Sequence, residues 1–148
     1  MIIIAQIRSA SDTLIRTVPL KSFSYTKSLA PGGVAVTGEF IAAEDVDADP
    51  TDLLVIKVSN GGVTEVHRAG ITEIIGRIIR TAGEMVAATP KPIDGAPVIY
   101  ERSGEIIRIV FNELINTGDT MLIDPPFTIN KITSYGNING LLMELYGG

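Results

Sequence analysis

The sequence predicts a mainly β domain with one helix, an antiparallel β-barrel or sandwich packed against a single amphipathic helix at about residues 71–88. Three observations lead to this fold class. Segments before residue 70 alternate apolar and polar residues, as half-buried strands do. Apolar residues then recur at three- and four-residue steps, and strand-like segments return after residue 95. Strands, one helix and further strands are typical of an α+β domain.

A first hairpin is predicted between residues 20 and 40. Phe23 and Tyr25 alternate with polar residues in one strand, and Val34 and Val36 alternate with smaller or polar residues in the next. Residues 31–33 supply one proline and two glycines, which favour a reversal of the chain. The two strands are therefore expected to be neighbours.

The next elements are an acidic loop and a second hairpin. Residues 44–52 are too acidic and too poor in apolar residues to sit in a core, which indicates a solvated loop. Residues 53–58 form an apolar strand that runs into Asn60-Gly61, a strong hairpin signal because both residues tolerate positive φ. Residues 63–66 are expected to be the return strand.

The helix is predicted from residue 71 because the period of the apolar residues changes there. Charged residues lie mostly off the apolar face, and Pro90 and Pro92 end the segment because proline cannot continue a helical ladder. The apolar positions are Ile71, Ile74, Ile75, Ile78, Ile79, Ala82, Met85 and Val86.

Strands are predicted again in the last third of the chain. A Ser103-Gly104 turn joins two of them into a hairpin. The predicted segments are residues 98–101, 105–111, 121–123, 127–132 and 141–146.

Composition indicates one domain, residues 1–148, that is soluble and unprocessed. The chain has no cysteine, no start typical of a signal peptide and no run of about 18 apolar residues, so neither a disulfide framework nor a membrane partner is expected. A net charge of -5 argues against holding nucleic acid, because phosphate contacts need a concentrated basic face.

The inventory of reactive residues predicts neither an enzyme nor a cofactor. His67 is the single histidine, so no His-paired nucleophile is expected, and it is interpreted as a partly exposed strand residue. Ser24 and Lys27 match the Ser-x-x-Lys pattern of penicillin-recognising acylases. They lie in a predicted strand, whereas that nucleophile opens a helix, and the companion triplets of that family are absent.

The acidic loop also raises the question of calcium. Asp45, Asp47 and Asp49 alternate like the first ligands of an EF-hand, but Pro50 and Ile56 occupy the positions of the required glycine and glutamate. An EF-hand is excluded, and no metal site is predicted. A calcium site of another kind remains an open alternative.

Self-association is predicted from the apolar character of the chain. The mean hydropathy of +0.31 is high for a small domain with a large surface, which favours apolar area buried between chains. Two glycines inside the predicted helix suggest the close approach of another backbone, from this chain or a neighbour. The hypothetical assembly interface comprises Glu44, Asp45, Asp47, Asp49, Asp52, Gly76 and Gly83.

One segment carries a resemblance to a known family. Residues 20–29, followed by a glycine-containing turn and residues 34–40, resemble the opening hairpin of phage baseplate hub proteins. The ending Leu141–Gly147 is similar to the last strand of a hub domain. The family-like strand residues are Phe23, Ser24, Tyr25, Lys27, Ser28 and Leu29.

The resemblance implies a tail tube fold and a structural role in a phage-type tail, as tube, hub-proximal ring or baseplate component. It implies a homo-oligomeric ring, contacts with other virion structural proteins, and a location in the virion tail after assembly in the host cytoplasm. A capsid decoration protein and a carbohydrate-binding β domain are the two alternatives.

Overall fold

The structure, a computed structural model, describes residues 2–94, 99–137 and 140–148. Every regular element in these ranges is a β-strand. The strands are β1 (Ile2–Arg8), β2 (Leu14–Val18), β3 (Leu20–Ala30), β4 (Gly33–Ala42), β5 (Leu53–Ser59), β6 (Val63–Ile75), β7 (Ile78–Met85), β8 (Pro92–Ile93), β9 (Ile99–Ser103), β10 (Ile106–Val110), β11 (Thr120–Met121), β12 (Phe127–Asn137) and β13 (Gly140–Gly147).

The strands join into one open sheet. Its order is β2-β1-β5-β6-β7-β4-β3-β12-β13-β10-β9, and the short β11 pairs with β12 and with β8. Neighbouring strands are antiparallel except β8 and β11, which are parallel. The sheet does not close, so β2 and β9 are its two edges.

Strand β6 turns the sheet through a corner. Its residues 63–70 pair with β5, whereas its residues 70–75 pair with β7, and Gly70 belongs to both sets. Strands that change partners at a bend are how one sheet makes two packed layers. One apolar cluster accordingly joins Ala5 and Ile7 near one edge to Ile107 and Leu145 near the other. The sandwich part of the predicted fold class is roughly consistent with this arrangement.

The predicted helix at about residues 71–88 is wrong. This segment is the end of β6, a two-residue turn at Gly76-Arg77 and β7, with Ile75 paired to Ile78. Gly76 has φ +59°, as the first central residue of a type II′ turn requires. A bulge at Thr72 adds one residue to β6. The turn and the bulge interrupt the alternation of two and produce the three- and four-residue spacing that imitated a helix.

The two hairpins predicted in the first half are confirmed. Strands β3 and β4 pair from Ala30↔Gly33, and β5 and β6 pair from Ser59↔Val63. Strands β1 and β2 were not predicted. Val98, part of the predicted 98–101 strand, lies outside the described residues. The part of the chain that the structure describes contains no helix able to span a membrane.

Candidate functional site

Four buried polar side chains and one half-buried lysine form a group that we name the polar centre: Tyr25, Lys27, His67, Thr81 and Ser134. The group draws on four strands, β3, β6, β7 and β12. Alternation along β3 turns Phe23, Tyr25 and Lys27 toward the core, because residues two apart in a strand share a face. The family-like strand therefore supplies two of the five members.

His67 reaches the polar centre because of a bulge. Ile56 pairs with His67 while Lys57 pairs with Glu65, so Val66 is an extra residue in β6 and both Val66 and His67 are buried. The prediction that His67 is partly exposed is wrong, since its exposed fraction is 0%. A bulge re-aims a side chain in this way.

The imidazole of His67 has one polar partner and two aromatic ones. Its Nε2 lies 3.0 Å from Thr81 Oγ1, and the rings of Tyr25 and Phe40 are each 5.1 Å from the imidazole between centroids. Its Nδ1 is buried without a hydrogen-bond partner among the described residues. Such a site favours the neutral imidazole, because a charged ring would have to keep two donors buried.

Gly38 makes room for this packing. A Cβ at Gly38 would lie 2.5 Å from the Phe40 ring and 3.1 Å from Thr81 Oγ1. Any side chain at position 38 would therefore displace either the ring or the hydroxyl partner of His67. Sequence reasoning missed Gly38, and its only signal was a glycine interrupting an otherwise regular strand.

Burial controls the charges in the polar centre. Desolvation, with a smaller contribution from the nearby Lys27 ammonium, lowers the pKa of His67 to about 3. Desolvation also lowers the pKa of Lys27 to about 8, and the negative charge of Glu65 opposes part of that change. The pKa of the Tyr25 phenol is raised by burial, partly offset by the neighbouring Ser134 hydroxyl. Histidine and tyrosine are thus neutral at pH 7.

A small cavity of about 10 Å³ adjoins the polar centre. Residues 111–115, which follow β10, cover it from one side. Tyr25 and Ser134 lie close enough to influence each other, but their geometry falls short of a hydrogen bond, so Ser134 Oγ has no partner among the described residues. The lining residues are Tyr25, Lys27, Val66, Phe111, Glu113, Ile115, Ile132, Ser134 and Met143.

The segment that covers the cavity is held by the buried carboxylate of Asp119. Its oxygens accept hydrogen bonds from the backbone N–H of Lys91 at 3.1 Å, from Lys91 Nζ at 2.6 Å and from the backbone N–H of Asn116 at 2.8 Å. Lys91 Nζ also donates to the carbonyl of Leu114 at 2.6 Å. A buried carboxylate with several donors is a stable anchor for a loop.

The Ser-x-x-Lys pattern does not form a catalytic pair here. Ser24 is exposed on the outer face of β3, whereas Lys27 lies half-buried on the inner face. Alternation along one strand separates side chains three residues apart in this way. Ser134 lines the same cavity as Lys27, and that cavity, at about 10 Å³, has room for one water-sized molecule but not for an acyl substrate.

The acidic loop is less solvated than predicted. Val46 is buried, and its backbone N–H donates to the carbonyl of Gly76 at 3.1 Å. Asp52 is only 6% exposed and accepts a hydrogen bond from the backbone N–H of Asp49 at 2.9 Å. Asp45 remains exposed, 3.6 Å from Arg77. The loop is therefore attached to the β6–β7 turn.

Two further predicted interface residues, Glu44 and Gly83, are both exposed. Glu44 lies on the surface, 3.8 Å from Arg16. A Cβ at Gly83 would lie 3.5 Å from Ala69 Cα, so the backbone that approaches this glycine is the chain's own β6. Within the described ranges, no group of three or more histidines or carboxylates is arranged to hold a metal ion.

The open edges of the sheet are the remaining surface feature. Strand β2 pairs with β1 on one side only, and Leu14 and Ile15 on it are 48% and 53% exposed. At the opposite edge, Ile99 of β9 is 38% exposed. The chain matches no family model, no curated protein and no solved structure.

Proposed function

We propose that this protein is a virion structural protein of a phage-type tail, a tube, hub-proximal ring or baseplate component that acts by self-assembly into rings. The observation that carries the proposal is the open sheet with apolar side chains exposed along edge strand β2. An unpaired strand edge offers backbone N–H and C=O groups to another chain. Exposed apolar side chains beside that edge add a driving force for association.

The positions of the two edges suit a ring. Strands β2 and β9 end the same sheet on opposite sides, so pairing β2 of one copy with β9 of the next uses two different surfaces. Such a heterologous contact closes into a ring when the rotation between copies allows it, and otherwise gives an open filament. Either product is a tail-like assembly.

The exposed charges are also compatible with a tail. Three surface arginines each contact two carboxylates, so their positive charges are already paired. With a net charge of -5, the surface of the protein would repel DNA instead of gripping it. The carbohydrate-binding alternative receives less support, since all four phenylalanines are buried and unavailable for stacking on a sugar.

Negative-stain microscopy of the purified chain tests the proposal. We expect rings or tubes from the native protein and dispersed monomers from the Ile15→Lys variant, because a charge on an edge strand opposes strand addition. Val86→Lys is the matched control, since Val86 is 93% exposed and lies outside every strand. Monomeric native protein, or rings from Ile15→Lys, would contradict the proposal, and small trimers would favour a capsid decoration protein.

The acidic loop is proposed to contribute to the same assembly. Deleting residues 45–49 would also remove the buried Val46, so the change must be confined to charge. We expect the triple substitution of Asp45, Asp47 and Asp49 by asparagine to leave the melting temperature unchanged while reducing ring formation. Unaltered assembly would remove the loop from the interface without affecting the role of β2.

A further inference from the structure

The cavity under residues 111–115 has the properties of a binding site. We propose that it binds one water molecule, which hydrogen-bonds to Ser134 Oγ and to the Tyr25 hydroxyl. The site would link β3, β12 and the segment that follows β10. It is independent of the proposed role in a tail.

The volume of the cavity sets the size of the ligand. Its 10 Å³ is about the space that one water-sized probe occupies. An apolar void of that size would stay dry, whereas four of the nine residues that line this one carry polar side chains: Tyr25, Lys27, Glu113 and Ser134. A buried water needs two to four polar partners, and the lining supplies that number.

Ser134 is the polar group that requires a partner. It is 1% exposed, and its Oγ has no hydrogen bond to the described residues. A serine hydroxyl can donate one hydrogen bond and accept two, and leaving it buried without any is unfavourable. Most buried polar groups that lack a protein partner are satisfied by an ordered water.

The neighbours of Ser134 explain why the partner would be water and not another side chain. The Tyr25 hydroxyl is near Ser134 but outside hydrogen-bonding geometry, so a bridging molecule fits between polar groups that do not meet directly. Lys27 and Glu113 line the same cavity and can complete the hydration. The other orphaned atom, His67 Nδ1, belongs to a residue that does not line the cavity.

Oxygen-17 magnetic relaxation dispersion on the native protein tests the inference, because it detects buried waters that exchange slowly with solvent. We expect a long-lived water in the native protein and the loss of one such water in Ser134→Val, whose added methyl fills the cavity. Ser24→Ala is the matched control, since Ser24 lies on the outer face of β3. It should retain the native signal.

A crystal structure of the native protein supplies a readout that does not depend on any variant folding. It should contain a water within hydrogen-bond distance of Ser134 Oγ. A direct hydrogen bond from Ser134 to Tyr25, with no water in the cavity, would overturn the inference. A dispersion signal unchanged in folded Ser134→Val would also overturn it, because the slow water would then lie elsewhere.

Discussion

The two faces of β4, β6 and β7 treat polar groups in opposite ways. On the outer face, Arg80 contacts Glu39 at 3.2 Å and Glu73 at 2.8 Å, and all three side chains are about half exposed. On the inner face, the fully buried His67 has Thr81 as its hydrogen-bond partner, and its Nδ1 has none among the residues that the structure describes. On these three strands, the polar groups are therefore more completely paired on the face that water can reach.

The outer face has more polar contacts than the inner face, but those contacts contribute less to the free energy of unfolding. Exposed ion pairs contribute little, because water screens the charges and both side chains lose conformational freedom. A buried polar group has no substitute for a missing partner, so its protonation state depends strongly on its surroundings. We therefore expect the inner face to control the pH dependence of stability and the outer face to contribute almost nothing to it.

The largest expected effect concerns His67. Its pKa is about 3 in the folded state and about 6.5 when unfolded, so the unfolded chain binds a proton first as the pH falls. The contribution of His67 to stability is complete above pH 6.5 and is lost between pH 6.5 and 3. From the two pKa values, the free energy of unfolding should fall by roughly 3 kcal/mol between pH 7 and pH 4 from this residue alone.

Urea denaturation of the native protein and of a His67→Leu/Thr81→Val double variant measures this effect. The double substitution removes both hydrogen-bond partners, so neither is left buried and unpaired. Carboxylates titrate in both proteins, and their shared contribution cancels in the difference. Equal losses of stability in the two proteins at pH 4 would show that His67 is not the group responsible.

An intermediate effect is expected at Lys27. Its folded pKa of about 8 lies below the unfolded value, so the charged amine destabilises the fold fully below pH 8 and progressively less up to about 10.5. Lys27→Met should raise the free energy of unfolding at pH 7 by about 1 kcal/mol, after allowance for the partial exposure of the amine. Lys21→Met, on the exposed part of the same strand, is the control.

The advantage of Lys27→Met should shrink as the pH is raised from 8 to 10.5. A constant difference across that range would mean that packing, and not the charge of Lys27, separates the two proteins. Denaturant titrations at three pH values suffice to distinguish these results.

The smallest effect is expected on the outer face. Arg80→Met breaks both contacts of the Glu39–Arg80–Glu73 group, yet the denaturation midpoint should stay within experimental error because the charges are exposed and screened. At low salt, where the charges are screened least, the stability difference between the native protein and Arg80→Met should be at its largest. If Arg80→Met lost as much stability as we expect from the protonation of His67, the proposed difference between the inner and outer faces would be wrong.

The predicted elements that were correct depend on residues close together in the chain. Residues 60–62 connect β5 to β6, and Gly61, though not Asn60, has the positive φ, +77°, that the Asn-Gly signal anticipates. The helix wrongly predicted at about residues 71–88 shows the limit of reasoning from local spacing. Five isoleucines fit a helical face, but isoleucine is β-branched and also suits strands, and Gly76 at a tight turn was the signal to weigh against the spacing.

The polar centre could not be assembled from the sequence. Tyr25 belongs to a predicted strand and Lys27 to a four-residue pattern, while Thr81 and Ser134 have no distinguishing neighbours in the sequence. The sequence marks His67 as the single histidine but predicts partial exposure, because nothing local reveals that a bulge at Val66 turns it inward. Residues 25, 81 and 134 come together through the register of strands that are distant in the sequence. Ser134 of β12 pairs with Tyr25 of β3, and Gly38 of β4 pairs with both Tyr25 and Thr81 of β7.

The sequence by itself determined the first two hairpins, the alternation of their strands, the acidic balance and the lack of a second histidine, since these are properties of composition or of neighbouring residues. Tertiary structure decided that residues 71–85 are strands, that Val46 and His67 are buried, and that Ser134 faces a cavity. The physical reason is that a turn is selected by the φ angles of two adjacent residues, whereas burial is selected by packing against segments that are distant in the sequence.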